Sequence, residues 1–385
     1  MYNIKTLNKI AKIGTDKFDA AKYNVTDNCD NAEAIMVRSA SMHEMEFNKE
    51  LLAIARAGAG VNNIPVEKCA DMGICVFNTP GANANAVKEL AIAGMLLASR
   101  DIVGGINWVQ TDKADPDIAK TVEKEKSKFA GTEIKGKTLG VIGLGAIGAL
   151  IANAAVKLGM KVIGYDPFLS VNGALNLDPA VRYAKTTAEI YANSDIISVH
   201  VPCNNDTKGM INADAIASMN DGVIILNFAR DALINDDDMA QALSTGKVRK
   251  YVTDFPNAKT ANMAGVIAIP HLGASTEESE DNCAVMAAEE LIDYIENGNI
   301  KNSVNYPDAE MNAAGTKVCV MHKNIPAIIS SLTSVFGDAG VNIDNMLNKS
   351  KKDYAYTMID AADVSDDLVA KLAAIDGIIR VRVIK

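Results

Sequence analysis

Gly143, Gly145 and Gly148 stand in the spacing G-x-G-x-x-G directly after the apolar run Thr138-Leu139-Gly140-Val141-Ile142. The chemistry this spacing serves is the holding of an anion. Gly143 permits a tight turn, Gly145 admits a pyrophosphate where a Cβ would stand in the way, and Gly148 lets the next helix pack closely on the strand. That helix, expected over 149–159 from its apolar spacing, would aim free N–H groups and its positive dipole end at the anion. A glycine-rich turn that binds nothing is the ordinary reading of the motif alone. Here, however, a second apolar run, Lys161 to Tyr165, closes a βαβ unit and ends in Asp166. A carboxylate there can accept both ribose hydroxyls of an adenosine and would repel a 2′-phosphate, so the pattern points to NAD as cofactor.

NAD implies hydride transfer at a carbon bearing oxygen, and the chain must then move a proton. It has 4 histidines, His43, His200, His271 and His322. His271 follows an apolar run and Pro270 and precedes Leu272-Gly273-Ala274, which would let its ring face the nicotinamide; a structural histidine is the alternative. His200 also ends an apolar run and ranks below it. Arg230 can hold a carboxylate through both nitrogens and polarise the neighbouring carbonyl, or pair with Asp231. Asp254 could orient the carboxamide of the cofactor, tune a neighbour, or cap a turn.

These residues need elements to place them. Apolar runs at 195–199, 222–226, 251–253 and 266–269 each end in polar residues, as strands of a doubly wound parallel sheet do at their ligand-binding ends. Upstream, 34–37, 52–55 and 75–77 read as strands of a first α/β unit, with Arg38 and Arg56 at strand ends. Residues 84–104 give the longest helical pattern, and 120–128 a charged, solvated helix. Residues 298–312 are polar, contain Pro307 and read as a linker. The remainder alternates as βαββαβ, with strands at 317–321, 341–347, 354–359 and 378–384 and helices at 326–338 and 366–376.

With 385 residues, 49% hydrophobic content and 22% charged, the chain suits two or three folded domains. A net charge of −10 argues against nucleic acid or an anionic membrane as partner. The 6 cysteines lack metal or disulfide spacing, so reduced thiols, no metal and a cytoplasmic location are expected. The N-terminus has no apolar leader-like run.

The assembled motifs resemble the D-2-hydroxyacid dehydrogenases, and among them those acting on 3-phosphoglycerate. Val37-Arg38-Ser39, residues 57–63, Phe77-Asn78-Thr79-Pro80, residues 143–148, Asn227-Phe228-Ala229-Arg230 and residues 269–274 stand in the family's order. The resemblance implies a Rossmann NAD domain (86–273) inserted in a flavodoxin-like α/β substrate domain (1–85 and 274–306), with a ferredoxin-like ACT domain at 316–385. It implies oxidation of D-3-phosphoglycerate to 3-phosphohydroxypyruvate, the first step of the phosphorylated route to serine, with His271 as acid/base and Arg230 on the carboxylate. Gly143, Gly145, Ala146, Ile147, Gly148, Asp166, Val201, Pro202, Phe228, Ala229 and Asp254 would line NAD; Arg38, Ser39, Arg56, Gly60 and Val61 would meet substrate. His322, Asn324 and Asn342 match positions where ACT domains bind L-serine as effector. Family members associate through the helix matched here by 84–104, which implies a homodimer or homotetramer.

Four positions depart from the pattern. The loop 254–260 lacks the Glu that usually partners the catalytic His, so His271 works alone or Asp254 substitutes. Asp231 replaces a Gly, Ala40 a second Arg found in some relatives, and Ala327 a common ACT glycine. A glyoxylate or hydroxypyruvate reductase, and an NAD-sensing protein of the corepressor type, are the alternatives.

Overall fold

The computed structural model describes residues 1–312 and 315–384. The chain divides into two compact units, Asn83–Thr276 and the pair of segments Met1–Ala82 and Glu277–Lys385.

The discontinuous unit starts with five parallel strands, β1 (Tyr2–Leu7), β2 (Tyr23–Thr26), β3 (Ala34–Val37), β4 (Ala53–Arg56) and β5 (Cys75–Asn78), in the order β2-β1-β3-β4-β5. Alternation splits their side chains between two cores. Ala34, Met36, Ala53, Ala55 and Phe77 join Cys283, Ala287, Leu291 and Tyr294 of the helix Glu277–Asn297. Ile35, Val37, Ile54 and Val76 join Met42, Leu51 and Cys69 on the other side.

In the second unit seven parallel strands follow: β6 (Thr138–Ile142), β7 (Lys161–Tyr165), β8 (Val181–Tyr183), β9 (Ile196–Val199), β10 (Val223–Asn227), β11 (Val248–Thr253) and β12 (Val266–Ala268). Their order, β12-β11-β10-β9-β6-β7-β8, reverses direction at β6 and β9, which puts the glycine turn after β6 at the switch point of a doubly wound sheet. The helix Ala84–Ser99 lies on β10 and β11 because Gly94 leaves room: a Cβ there would come within 2.8 Å of the Phe228 ring. This helix stops short of the expected 104. Arg100 is extended, and Asp101 caps a separate helix, Ile102–Thr111, by accepting Gly104 N–H.

Back in the first unit, β13 (Thr316–Lys323), β14 (Ile343–Lys351), β15 (Tyr354–Ala361) and β16 (Ile378–Ile384) form an antiparallel sheet ordered β14-β15-β13-β16. Its elements match the βαββαβ reading, with helices Ile328–Asp338 and Asp366–Ala373 covering Val318, Val320 and Ile359. The opposite face, Cys319, Met321, Tyr356 and Met358, belongs to the core of the five-stranded sheet.

Residues 298–312 therefore do not hang between domains. Tyr306 is fully buried with its hydroxyl donating to Ala70 O at 2.7 Å, Ser303 bridges Phe77, and Ile300 pairs with Ala309. Arg380 donates to Leu51 O, Lys49 O and Met72 O, while Arg382 donates to the Tyr294 and Ile295 carbonyls near the end of the long helix. A polar composition conceals this packing because asparagine, serine and arginine side chains satisfy backbone groups there.

Candidate active site

In the unit Asn83–Thr276 the three motif glycines each face a different constraint. Gly143 has φ 93°, and a Cβ on it would meet His200 O at 2.5 Å. Gly148 lies against the Gly143 carbonyl, which a Cβ would approach to 1.8 Å. A Cβ on Gly145 would meet no atom within 4 Å, so that position opens onto free space at the start of the helix Ala146–Lys157. Asp166 closes the turn: Oδ2 accepts Leu144 N–H and Oδ1 accepts Phe168 N–H, each at 2.9 Å, and the residue remains partly exposed. An unobstructed space between exposed helix N–H groups and a carboxylate fits the pyrophosphate and ribose of NAD.

His271 sits in a left-handed turn, φ 53°, uncommon for a residue other than glycine. Asp254 holds it. Its carboxylate is 2% exposed and accepts Leu272 N–H and Gly273 N–H at 2.8 Å, one on each oxygen. Burial raises its pKa, while the two amides and His271 pull the other way. With both oxygens engaged and almost no surface, Asp254 supports the His271 turn; as a direct cofactor contact it has little to offer.

Phe255, which no local sequence signal marks, joins His271 and Arg230. Its ring centroid lies 4.6 Å from that of His271, tilted 49°, and 5.7 Å from Arg230 Cζ. Arg230 is exposed, donates from Nη1 to Ala229 O at 2.6 Å, and forms no ion pair among the described residues. The expected alternative, pairing with Asp231, is not what occurs: Asp231 accepts Asn257 Nδ2, which also donates to Asp236. Fully buried Asn227 shapes the turn, donating to Arg230 O and accepting Ala229 N–H.

Two further expectations change in detail. Phe228 is 5% exposed with its ring in the core below Gly94, so only its backbone can reach a ligand. His200 contacts Ser198 Oγ through Nε2 at 2.7 Å, and its Nδ1 is buried without a partner. Burial lowers its pKa to about 3, so it stays neutral and is a poor proton acceptor. Val201 and Pro202 follow it, partly exposed and exposed respectively, and at the helix start Ala146 is exposed and Ile147 partly exposed.

In the other unit the expected substrate residues gather at the carboxyl ends of β3 and β4. Arg38 pairs with Glu280, and Arg56 Nε donates to Arg38 O at 3.1 Å. Asn8 Oδ1 accepts Ser39 N–H and Ala40 N–H, and Gly60 and Val61 lie on the adjoining loop. The three residues matched to serine binding do not converge within one chain. His322 pairs with Ala355 and Asn324 follows that end of β13, whereas Asn342 precedes Ile343, which pairs with Ala361 at the far end. His322 itself is 3% exposed, with Nε2 on Thr357 Oγ1 and Nδ1 on Lys323 O, both at 2.8 Å.

A family model described as D-isomer specific 2-hydroxyacid dehydrogenase, NAD binding domain, matches residues 92–273. The D-3-phosphoglycerate dehydrogenase of Haemophilus influenzae is 30% identical over 354 residues, covering 88% of this chain and 83% of that one. The chain belongs to the D-isomer specific 2-hydroxyacid dehydrogenases. Within this family, the hydroxypyruvate reductase of Thermotoga maritima is 36% identical over 67% of this chain and 83% of its own. The D-3-phosphoglycerate dehydrogenase of Archaeoglobus fulgidus is 35% identical over 72% of this chain, a match spanning only 52% of that longer protein. An NAD+-bound 3-phosphoglycerate dehydrogenase from Entamoeba histolytica superposes with a TM-score of 0.62 at 27% identity, over 79% of this chain and 98% of that one. NAD is therefore the cofactor of this chain.

Proposed function

We propose that the protein oxidises D-3-phosphoglycerate at C2 to 3-phosphohydroxypyruvate with NAD. The observation carrying this reading is the grouping of His271, Phe255 and Arg230 beyond the strand ends of an NAD-binding unit. NAD, when bound, supplies the hydride acceptor. Arg230, exposed and without an ion pair among the described residues, holds the substrate carboxylate; the imidazole of His271 takes the C2 hydroxyl proton as the C2–H bond breaks. Arg38, Ser39, Arg56, Gly60 and Val61 supply the remaining substrate contacts, with Arg38 exchanging Glu280 for the phosphate. The names of the Haemophilus and Archaeoglobus relatives support this choice.

A hydroxypyruvate or glyoxylate reductase is the second reading, favoured by the Thermotoga relative and by Ala40, which leaves one fewer cation near Arg38. Steady-state kcat/KM for 3-phosphoglycerate against glycerate, glyoxylate and hydroxypyruvate separates the two. A preference for the phosphorylated acid is expected; a preference for an unphosphorylated one selects the reductase. Tight NADH binding without turnover of any would select an NAD-sensing protein.

The same reading divides the chain into a substrate domain, an NAD domain and a C-terminal ACT-type domain. It makes the protein a homo-oligomer in which L-serine binds between two copies, since His322 and Asn342 lie at opposite ends of the sheet. Ile102, Val103, Ile106 and Val109, 39–56% exposed on the helix Ile102–Thr111, form an apolar face suited to a second copy. No described helix is long and apolar enough to cross a membrane.

A further inference from the structure

His43 lies beside the loop that bears Gly60 and Val61 and takes no part in the chemistry above. It is exposed, and its Nε2 contacts Asn62 O at 3.0 Å. A carbonyl oxygen only accepts, so Nε2 carries the hydrogen and the tautomer is set. Nδ1 has no hydrogen-bond partner among the described residues. In the neutral ring Nδ1 is an acceptor; in the protonated ring it is a second, charged donor. The segment carrying His43 is tied to the same loop twice more, by Met42 N–H on Asn63 O and Asn63 Nδ2 on Ala40 O, both at 2.8 Å. Met42 is fully buried in one cluster with Leu51 and Ile64. Backbone pairing and burial therefore fix where His43 leaves the chain.

Gly60 is the meeting point of this tether and Arg56. A Cβ on Gly60 would lie 3.6 Å from Asn62 Oδ1 and 4.0 Å from Arg56 Nη1, so the guanidinium and the residue that anchors the His43 ring flank one glycine. Other anion-binding groups nearby are already engaged. Asn8 Oδ1 accepts Ser39 N–H and Ala40 N–H, Arg38 pairs with Glu280, and Arg56 Nε donates to Arg38 O. Lys68, on the helix Val66–Asp71, donates to Met45 O and sits over the Phe47 ring. Glu44 and Glu46 are the acids on the His43 segment, both exposed. A phosphate monoester carries roughly two negative charges at neutral pH, and Ala40 supplies no cation to meet them.

We propose that His43 is a phosphate-binding residue that selects a phosphorylated 2-hydroxy acid over its unphosphorylated counterpart. Nε2 stays on Asn62 O while protonated Nδ1 donates to a phosphate oxygen beside Arg56. The inference rests on the dehydrogenase reading above and deepens it by assigning the discrimination to one side chain. A phosphate beside the ring favours its protonated form, so the ring's pKa is higher in the complex than in the free protein. The contribution to binding is then complete below the free-state pKa and is lost as pH rises through the bound-state one.

NMR of the full chain, isotope-labelled at histidine Cε1, reads this directly. With only 4 histidines, His43→Gln identifies the signal by its loss. Saturating 3-phosphoglycerate, with NADH present, should move the His43 titration up by about one pH unit, and D-glycerate should leave it in place. In turnover, the ratio of kcat/KM for 3-phosphoglycerate to that for glycerate should fall about tenfold in His43→Gln, which keeps a donor for Asn62 O but no charge. The difference between the two proteins should vanish above the bound-state titration; comparing them cancels the phosphate's own ionisation. A His43 titration that 3-phosphoglycerate does not move, or an equal preference in wild type and variant, overturns the proposal. If 3-phosphoglycerate is oxidised with that signal unmoved, the dehydrogenase reading stands without His43. If the signal moves but no 2-hydroxy acid is turned over, the phosphate site stands and the dehydrogenase reading fails.

Discussion

The ring of Phe255 lies 4.6 Å from the imidazole of His271, centroid to centroid, and the guanidinium of Arg230 lies over the same phenyl ring. An aromatic surface from the loop after Asp254 thus lies against both side chains. Stacking restricts both side chains without a charge, and if His271 accepts the proton and Arg230 holds the carboxylate as proposed, that orientation is worth a measurable part of the barrier.

Phe255→Leu removes the ring and keeps the bulk, so kcat/KM should drop by about tenfold or more with the fold intact. Phe255→Tyr should retain most activity. Full turnover in the leucine variant would show that His271 and Arg230 need no such support.

Gly145 and Gly148 should respond oppositely to alanine. At Gly145 the added methyl meets no protein atom within 4 Å, so thermal stability should hold while NAD affinity falls at least about tenfold. At Gly148 the methyl runs into the Gly143 carbonyl, and the melting temperature should fall as well. Calorimetric NAD titration with melting curves checks both; unchanged NAD binding in Gly145→Ala would move the pyrophosphate elsewhere.

How far the site could be read from the sequence depended on what each residue's constraint looks like locally. Glycine spacing, strand ends and Asp166 are local signals, as is the apolar alternation of β13 to β16. β1 and β2 escaped because Tyr2-Asn3-Ile4-Lys5-Thr6-Leu7 and Tyr23-Asn24-Val25-Thr26 mix polar residues at the sheet's edge region. Arg380, Arg382 and Glu290 look like surface charge in sequence, and their burial depends on partners tens to hundreds of positions away. The role of Phe255 likewise depends on two loops distant in the chain.

Ala327 joins a sequence departure to a backbone fact. The ACT resemblance implies glycine at this position, and the φ of Ala327 is 69°. An alanine there pays a steric penalty that glycine avoids, so Ala327→Gly should stabilise the protein by about 1 kcal/mol despite glycine's greater freedom when unfolded. Chemical denaturation of both proteins measures this; a destabilised glycine variant would mean that surrounding contacts have absorbed the strain.

The most direct measurement is the pH dependence of kcat/KM for 3-phosphoglycerate and NAD in the wild type, His271→Ala and His200→Gln. Because burial around its ring keeps His200 neutral, its variant should keep the wild-type profile, while His271→Ala should lose at least about a hundredfold in rate across the pH range. Wild-type rate and profile in His271→Ala would contradict the assignment of the proton acceptor.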